Sequence, residues 1–156
     1  MERLNIHSKL QQIQAQIKEL VRTEENKFQK YWFFNECQVL QLLKPLLDKY
    51  QLTLLLSDDI SQPFLHEKDG KEHHVKYLKQ MQIIDCEQPT QQLSFSFWAG
   101  GQNTESAKAK GSAETYAIKY FLTKFFLIPV QDEGDPDYQR SKNDDMTNEE
   151  RKHVND

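Results

Sequence analysis

The residues best suited to chemistry form one stripe on a helix predicted within segment 104–137. At about 100° per residue, two lysines and two hydroxyl residues share a face, with Thr123 and Tyr116 beside it. These four residues are Lys108, Ser112, Thr115 and Lys119, and Lys110 is a further cation nearby. Such a stripe offers phosphate ligands and a ring for stacking, but no acid–base pair or nucleophile. It favours nucleic-acid binding; the alternative is that these side chains only solvate the outside of a core helix.

The opposite face of this helix is apolar and is expected to pack on a sheet. It carries Ala113, Ala117, Tyr120, Phe121 and Phe125. Of the two tyrosines, we expect Tyr116 to face outward and Tyr120 to face the sheet. Gly111 within the helix costs about 0.5–1 kcal/mol relative to alanine, which suggests that a backbone or a ligand approaches closely there.

Two blocks of the sequence fit a known family pattern. The first is Gly111-Ser112-Ala113-x-Thr115-Tyr116-Ala117-x-Lys119-Tyr120-x-Leu122, followed by Asp132, Glu133, Asp135 and Asp137. The second contains Asn26-Lys27-Phe28, Tyr31 and an apolar pattern over 39–52. Together they resemble the Erf (essential recombination function) family of phage and prophage single-strand annealing proteins. Where the family has a pair of arginines, this chain has Ile118 and Lys119, which would remove one basic contact.

The resemblance implies a β-β-β-α annealing core that assembles into rings or filaments. It also implies that single-stranded DNA is the ligand and strengthens the DNA-contact interpretation of the helix stripe. Further partners suggested by such a recombination system are a host single-strand-binding protein and a phage exonuclease.

The charge of the chain is unevenly distributed. Residues 131–156 hold nine acids and four bases, a net charge of −5, whereas the whole 156-residue chain has −4, so residues 1–130 carry +1. We expect one annealing domain over 1–138 and an acidic tail over 139–156, which has too few apolar residues to fold alone. Because +1 is a weak basic field, binding would need a local groove or many subunits in line.

Hydrophobic periodicity predicts an α+β fold: an antiparallel β-sheet with N-terminal helices and one long helix packed on it. Asn35 is the expected cap of the second helix, and Asp69-Gly70 is a strong hairpin signal. Residues 99–103 are expected to be a flexible link, with Asn103 or Thr104 capping the long helix. The predicted elements are helices over 4–24 and 35–47, then strands over 52–57, 63–67, 72–85 and 93–98.

Two further sets of residues could contact DNA. The aromatic run 31–34 fits a core segment, with Tyr31 or Trp32 as the exception that could stack on a base. On the second hairpin arm, Lys76 shares a face with His74 while Lys79 points the other way. Lys76 is therefore the better candidate for a groove between the long helix and the hairpin.

Metal and nucleotide chemistry receive little support. The acidic residues after the long helix could hold Mg²⁺ in a nuclease, but they lack a second catalytic group at defined spacing. His66, His73 and His74 with Cys37 and Cys86 show no zinc spacing, and sequence alone leaves a disulfide between the cysteines open. The chain contains no Walker loop or nucleotide-binding glycine fingerprint, so we expect no cofactor.

The sequence thus predicts an ATP-independent protein that binds and anneals single-stranded DNA, acts as a homo-oligomer and is not an enzyme. With no signal peptide and no apolar stretch of transmembrane length, we expect it in the cytoplasm of a bacterial host and not in a membrane. Two alternatives are a metal-dependent nuclease that uses the acidic loop and a structural assembly protein that binds no DNA.

Overall fold

The computed structural model describes the backbone of residues 2–27 and 35–129, and the side chains in these ranges apart from 18–27. The elements in these ranges are α1 (Ile6–Lys27), α2 (Glu36–Tyr50), β1 (Leu52–Asp58), β2 (Leu65–Asp69), β3 (Glu72–Asp85), β4 (Gln92–Asn103) and α3 (Ser106–Phe125). The predicted α+β class is confirmed. The boundary between domain and tail near residue 138 lies outside the described residues and stays a prediction.

Strand β3 is the centre of the antiparallel sheet. On one side β4 pairs with it along almost its whole length, from His73 opposite Asn103 to Ile84 opposite Gln92. On the other side β1 pairs with residues 79–85 and β2 with residues 72–76. β1 and β2 therefore lie end to end along one edge of β3.

The two faces of the sheet differ because side chains alternate along each strand. Odd-numbered residues of β3 from Val75 to Asp85 are buried beneath the helices, whereas Lys76 is exposed on the opposite face. On β4 the same alternation buries Phe97 and Ala99 and exposes Ser96. We call the side away from the helices the open face. Among the described elements, none packs on it.

The main core joins all three helices to the inner face of the sheet. Its buried members are Ile6, Ile13, Ile17, Val39, Leu43, Leu46, Leu52, Met81, Ile83, Phe97, Leu122, Phe126 and Ile128. A smaller cluster lies under the first half of α3 and contains Val75, Tyr77, Ala99, Ala109 and Ala113. The buried residues of α1 therefore face the core of their own subunit.

Local signals in the sequence explain where several elements begin. Asn35 accepts a hydrogen bond from the Gln38 amide at 2.9 Å, and the Gln38 side chain accepts one from the Asn35 amide at 2.9 Å. This capping box starts α2 as expected. Gly70, with φ +61, occupies the first loop position of the β2–β3 hairpin, where the tight turns that match strand twist need a positive φ.

The expectation of a flexible link over 99–103 is wrong, because these residues are the end of β4. A Cβ atom at Gly101 would lie 2.8 Å from the Ala109 carbonyl oxygen and 2.8 Å from the Ala113 amide nitrogen. Helix α3 therefore rests directly on the backbone of the strand. The glycine provides close packing rather than flexibility.

The start of α3 also differs from expectation. Glu105, rather than Asn103 or Thr104, occupies the cap position and makes no side-chain cap hydrogen bond. Asn103 still contributes, because its side-chain oxygen accepts a hydrogen bond from the Glu105 amide at 3.1 Å. The strand thus passes into the helix without a conventional cap.

Candidate nucleic-acid interface

The predicted stripe lies on the outer surface of α3. Lys108, Thr115 and Tyr116 are exposed, and Ser112 and Lys119 are half-buried. The orientation is fixed from below, because the buried Ala109 and Ala113 rest on the sheet. The structure therefore brings all five residues to one side of the helix.

Two tyrosines form an aromatic surface beside this stripe. The rings of Tyr116 and Tyr120 stack with centroids 6.2 Å apart and an interplanar angle of 14°. Tyr120 is 37% exposed, so the expectation that it faces the sheet is wrong. The buried side of α3 shifts along its length, from Ala109 and Ala113 to Leu122, and this shift leaves Tyr120 outside.

Thr123 was expected at the edge of the stripe but is buried, with 3% of its surface exposed. Its hydroxyl donates a hydrogen bond to the Tyr120 carbonyl oxygen at 3.0 Å. A hydroxyl satisfied by its own helix backbone can be buried at little cost. Thr123 is therefore a packing residue.

The cations of the stripe are held only weakly. The Lys108 ammonium lies 3.3 Å from the Glu105 carboxylate, and both side chains are largely exposed, so solvent screens the pair. The Lys119 ammonium lies 5.1 Å from the centre of the Tyr120 ring. Within the described parts of the chain, no carboxylate lies within ion-pair distance of it. From Thr115 to Lys124 the helix carries two lysines and no acid.

Lys110 has different surroundings from the rest of the stripe. Its ammonium lies 2.9 Å from Asp58 and 3.2 Å from Glu114, and 4.7 Å from the centre of the Tyr77 ring. The buried Lys79 binds the same carboxylates, at 2.7 Å to Asp58 and 2.9 Å to Glu114. We call these five residues the helix–sheet ion cluster. It ties α3 to β1 and β3.

Titration in this cluster follows its contacts. Burial alone would raise the pKa of Asp58, but hydrogen bonds from Lys79 and Lys110 outweigh it and lower the pKa to about 2. The hydrogen bond to Asp58 raises the pKa of Lys110 more than its partial burial lowers it. Burial and the hydrogen bond that Tyr77 donates to Glu114 both raise the pKa of Tyr77. The lowered pKa of Asp58 and the raised pKa of Lys110 keep this ion pair charged at neutral pH, which makes Lys110 less available to phosphate than Lys108 or Lys119.

Lys76 lies on the open face of the sheet, as the alternation along β3 predicts. Its ammonium is 5.1 Å from the centre of the Trp98 ring, and Trp98 is 61% exposed. Beside them is an open depression of about 490 Å³. The tryptophan was not predicted as a functional residue; its position among small residues that face outward, Ser94, Ser96 and Gly100, was the signal that could have identified it.

The described residues of one subunit form no groove that joins the helix stripe to Lys76. Helix α3 packs on the inner face of the sheet, whereas Lys76 faces the opposite side. The expected groove between the long helix and the hairpin is therefore wrong for a single chain. The DNA-binding role of each residue stays a prediction.

Gly111 is exposed, and a Cβ atom placed there would have no neighbour within 4 Å. The described chain therefore gives no packing reason for a glycine at this position. The expected close approach of a backbone is not found among the described residues, and the approach of a ligand stays a prediction.

Several predicted residues lie outside the described ranges. These are Tyr31 with its aromatic run and the carboxylates Asp132, Glu133, Asp135 and Asp137, whose roles stay predictions. Within the described ranges, no three His, Cys, Asp or Glu side chains are grouped as a metal site requires. Cys37 and Cys86 are exposed and not bonded to each other. No helix of the described chain is long and apolar enough to cross a membrane.

Comparison with known proteins agrees with the motif pattern. A family model described as ERF superfamily matches residues 6–156, almost the whole chain. This match confirms the resemblance carried by the two sequence blocks, and the family is one of phage recombination and annealing proteins. No curated protein and no solved structure matches the chain.

Proposed function

The chain belongs to the ERF superfamily, and from this membership and the surface of α3 we propose that it binds and anneals single-stranded DNA without ATP. The stripe of Lys108, Ser112, Thr115 and Lys119, with Tyr116, would hold the sugar–phosphate backbone. The bases would remain able to search for a complement. Base pairing supplies the free energy of annealing, so no catalytic residue is needed.

The observation that carries this proposal is that the C-terminal half of α3, from Thr115 to Lys124, has no acidic residue. Phosphate needs cations that are not already neutralised, and Lys119 faces an aromatic ring instead of a carboxylate. The stacked Tyr116 and Tyr120 rings add surfaces for bases, which tolerate any sequence because every base has a π-face. We therefore expect the affinity to depend strongly on salt concentration and only weakly on which bases the strand contains.

Self-association is the second part of the proposal. Strand β4 pairs only with β3 among the described strands, so its outer edge has no partner there. Its 12 residues, Gln92–Asn103, include no charged residue and no proline. Edge strands of stable monomers are usually protected from pairing by lysine, by proline or by covering elements. Strand β4 contains no lysine and no proline. The free edge supports contact with a second copy.

The other side of the sheet ends in β1, whose first six residues, Leu52 to Ser57, are also uncharged. Contact between β4 of one subunit and β1 of the next would use two different surfaces. Such head-to-tail contacts generate rings or open filaments. Several subunits arranged along one DNA strand would also add phosphate contacts that one subunit, with a net charge of +1 over residues 1–130, cannot supply alone.

Fluorescence anisotropy with labelled single-stranded and duplex oligonucleotides tests the binding proposal. We expect tighter binding to the single strand, with log K falling linearly with log salt between about 50 and 200 mM at a slope of roughly −0.7 per phosphate neutralised. An affinity that does not change with salt would contradict the phosphate-binding role of the stripe. Cleavage of the oligonucleotide that requires Mg²⁺ would favour the nuclease alternative.

A further inference from the structure

We propose that Trp98 and Lys76 form a nucleobase-stacking subsite on the open face of the sheet, separate from the stripe on α3. This inference rests on the proposed function, because it names a second contact with the same ligand. The bound group would be a base of single-stranded DNA lying against the tryptophan ring, with its phosphate beside the lysine.

The placement of Trp98 is the first observation. Its neighbours Phe97 and Ala99 are buried in the core, while 61% of Trp98 lies in solvent on the other face. A single exposed apolar residue is ordinary on a protein surface. This ring, however, has a cation 5.1 Å from its centre and a concave surface beside it.

The concave surface follows from the register of the strands. Lys76 pairs with Gly100, and Trp98 pairs with Leu78, so the cation and the ring lie diagonally across β3 and β4. Because Gly100 has no side chain, the floor of the depression beside the ring is backbone. Its volume of about 490 Å³ is within the roughly 300–1,000 Å³ range of small-ligand sites.

The chemistry of the lining fits a nucleotide. Lys76, His74 and Gln102 line the depression together with Trp98, and no carboxylate of the described residues lines it. The lysine can neutralise phosphate, and the amide and imidazole can hydrogen-bond to base edges. Stacking of a base on an aromatic ring is stronger than an exposed cation–π contact. An incoming base can therefore displace the lysine from the ring and leave it free to bind the phosphate.

The fluorescence of Trp98 gives a direct test. The chain has two tryptophans, so a Trp32→Phe variant of the full chain leaves Trp98 as the single reporter. An oligo-dT strand should quench its emission, whereas an abasic strand of equal length and charge should not. Trp98→Ala should weaken oligo-dT binding by roughly 5- to 150-fold and leave abasic-strand binding unchanged.

Two further variants separate the subsite from a general effect on the sheet. Gly100→Val places a side chain in the depression without removing Trp98 or Lys76, and it should also weaken oligo-dT binding. Ser96→Ala, on the same face and strand, should leave oligo-dT binding unchanged. Circular dichroism should show the same folded content in all variants.

The outcomes distinguish this subsite from the proposed function. If the intact chain binds oligo-dT but Trp98 emission and the Trp98→Ala affinity do not change, the subsite is wrong and the proposed function stands. If the intact chain binds no single-stranded DNA, both are wrong. If Trp98 emission is quenched as the protein concentration rises without DNA, a second copy covers this face. That result would also overturn the subsite.

Discussion

Lys119 is the cation on which the proposed DNA contact depends most. It faces Tyr120 rather than a carboxylate, so its charge is available to phosphate. We expect Lys119→Ala to weaken binding to single-stranded DNA and to reduce the salt slope by roughly 0.7 per bound subunit. Anisotropy titrations at several salt concentrations measure both quantities.

Lys44→Ala is the matched control for this prediction. Lys44 is exposed on α2, so its removal changes the net charge by the same amount without touching the stripe. Equal losses in the two variants would mean that only total charge matters and that α3 is not the binding surface.

The most deeply buried ion pair among the described residues joins α1 to the end of β3. The Lys9 ammonium lies 2.9 Å from Asp85 and 2.6 Å from Glu87, and the side chains of Lys9 and Asp85 are almost completely buried. Burial opposes both charges, but the hydrogen bonds to each group and the attraction of the opposite charges together outweigh it, so the pKa of Asp85 is lowered and the pKa of Lys9 is raised. One oxygen of Asp85 has no hydrogen-bond partner among the described residues.

Removing the lysine would leave Asp85 as an uncompensated buried charge. We expect Lys9→Met to lower the free energy of unfolding by about 3–5 kcal/mol, measured by urea denaturation. Arg3→Met is the control, because the exposed Arg3–Glu87 pair at 3.5 Å should contribute less than about 1 kcal/mol. Similar losses in the two variants would contradict the importance of burial.

At the scale of elements, the contact between α3 and β4 requires glycine at position 101. Gly101→Ala would place a Cβ atom 2.8 Å from backbone atoms of α3, whereas a Cβ atom at Gly100 has its nearest neighbour at 3.6 Å. We expect Gly101→Ala to push the helix away and lower the unfolding free energy by about 1–3 kcal/mol. Gly100→Ala should change it little. Equal stability in thermal or urea unfolding would show that the helix can shift freely.

The helix–sheet ion cluster adds a dependence on pH. The pKa of Asp58 in the folded chain is about 2, below its ordinary 3.8. The ionised carboxylate therefore stabilises the fold at pH values above 3.8. That contribution disappears as the pH falls from about 4 towards 2. We expect the unfolding free energy of Asp58→Asn to fall less over this range than that of the unchanged chain. Parallel curves would show that Asp58 gains nothing from Lys79 and Lys110.

The sequence predicts elements better than it predicts their contacts. The bounds of β3 and the cap at Asn35 follow from alternation and from a local capping box, both of which are short-range signals. Gly101 and Tyr120 were assigned wrongly because their surroundings depend on where α3 rests on the sheet. Helical periodicity alone assumes one buried side, and α3 changes its buried side along its length.

The candidate site shows the same division. Periodicity brought Lys108, Ser112, Thr115 and Lys119 to one surface, because all four lie on one helix. Lys110 belongs to an ion cluster with Asp58, 52 positions away in the sequence, and helical spacing contains no information about that partner. Lys76 was assigned to the correct face of its strand but to a groove that a single chain does not form.

For the molecule as a whole, the weak charge of residues 1–130 and the edge of β4, which has no partner among the described strands, lead to the same expectation. A single copy offers few phosphate contacts, and an uncharged edge of 12 residues favours strand pairing between copies. We expect light scattering to give a mass well above that of a dimer. A monomer both with and without DNA would contradict the proposed assembly.

The most direct test of the central claim is the annealing of two complementary labelled oligonucleotides, followed by energy transfer, with EDTA present and no nucleotide. We predict that the full chain accelerates annealing at about 50 mM salt and that Lys119→Ala slows it while Lys44→Ala does not. No acceleration by the full chain, or acceleration only when ATP or Mg²⁺ is added, would contradict an ATP-independent annealing function.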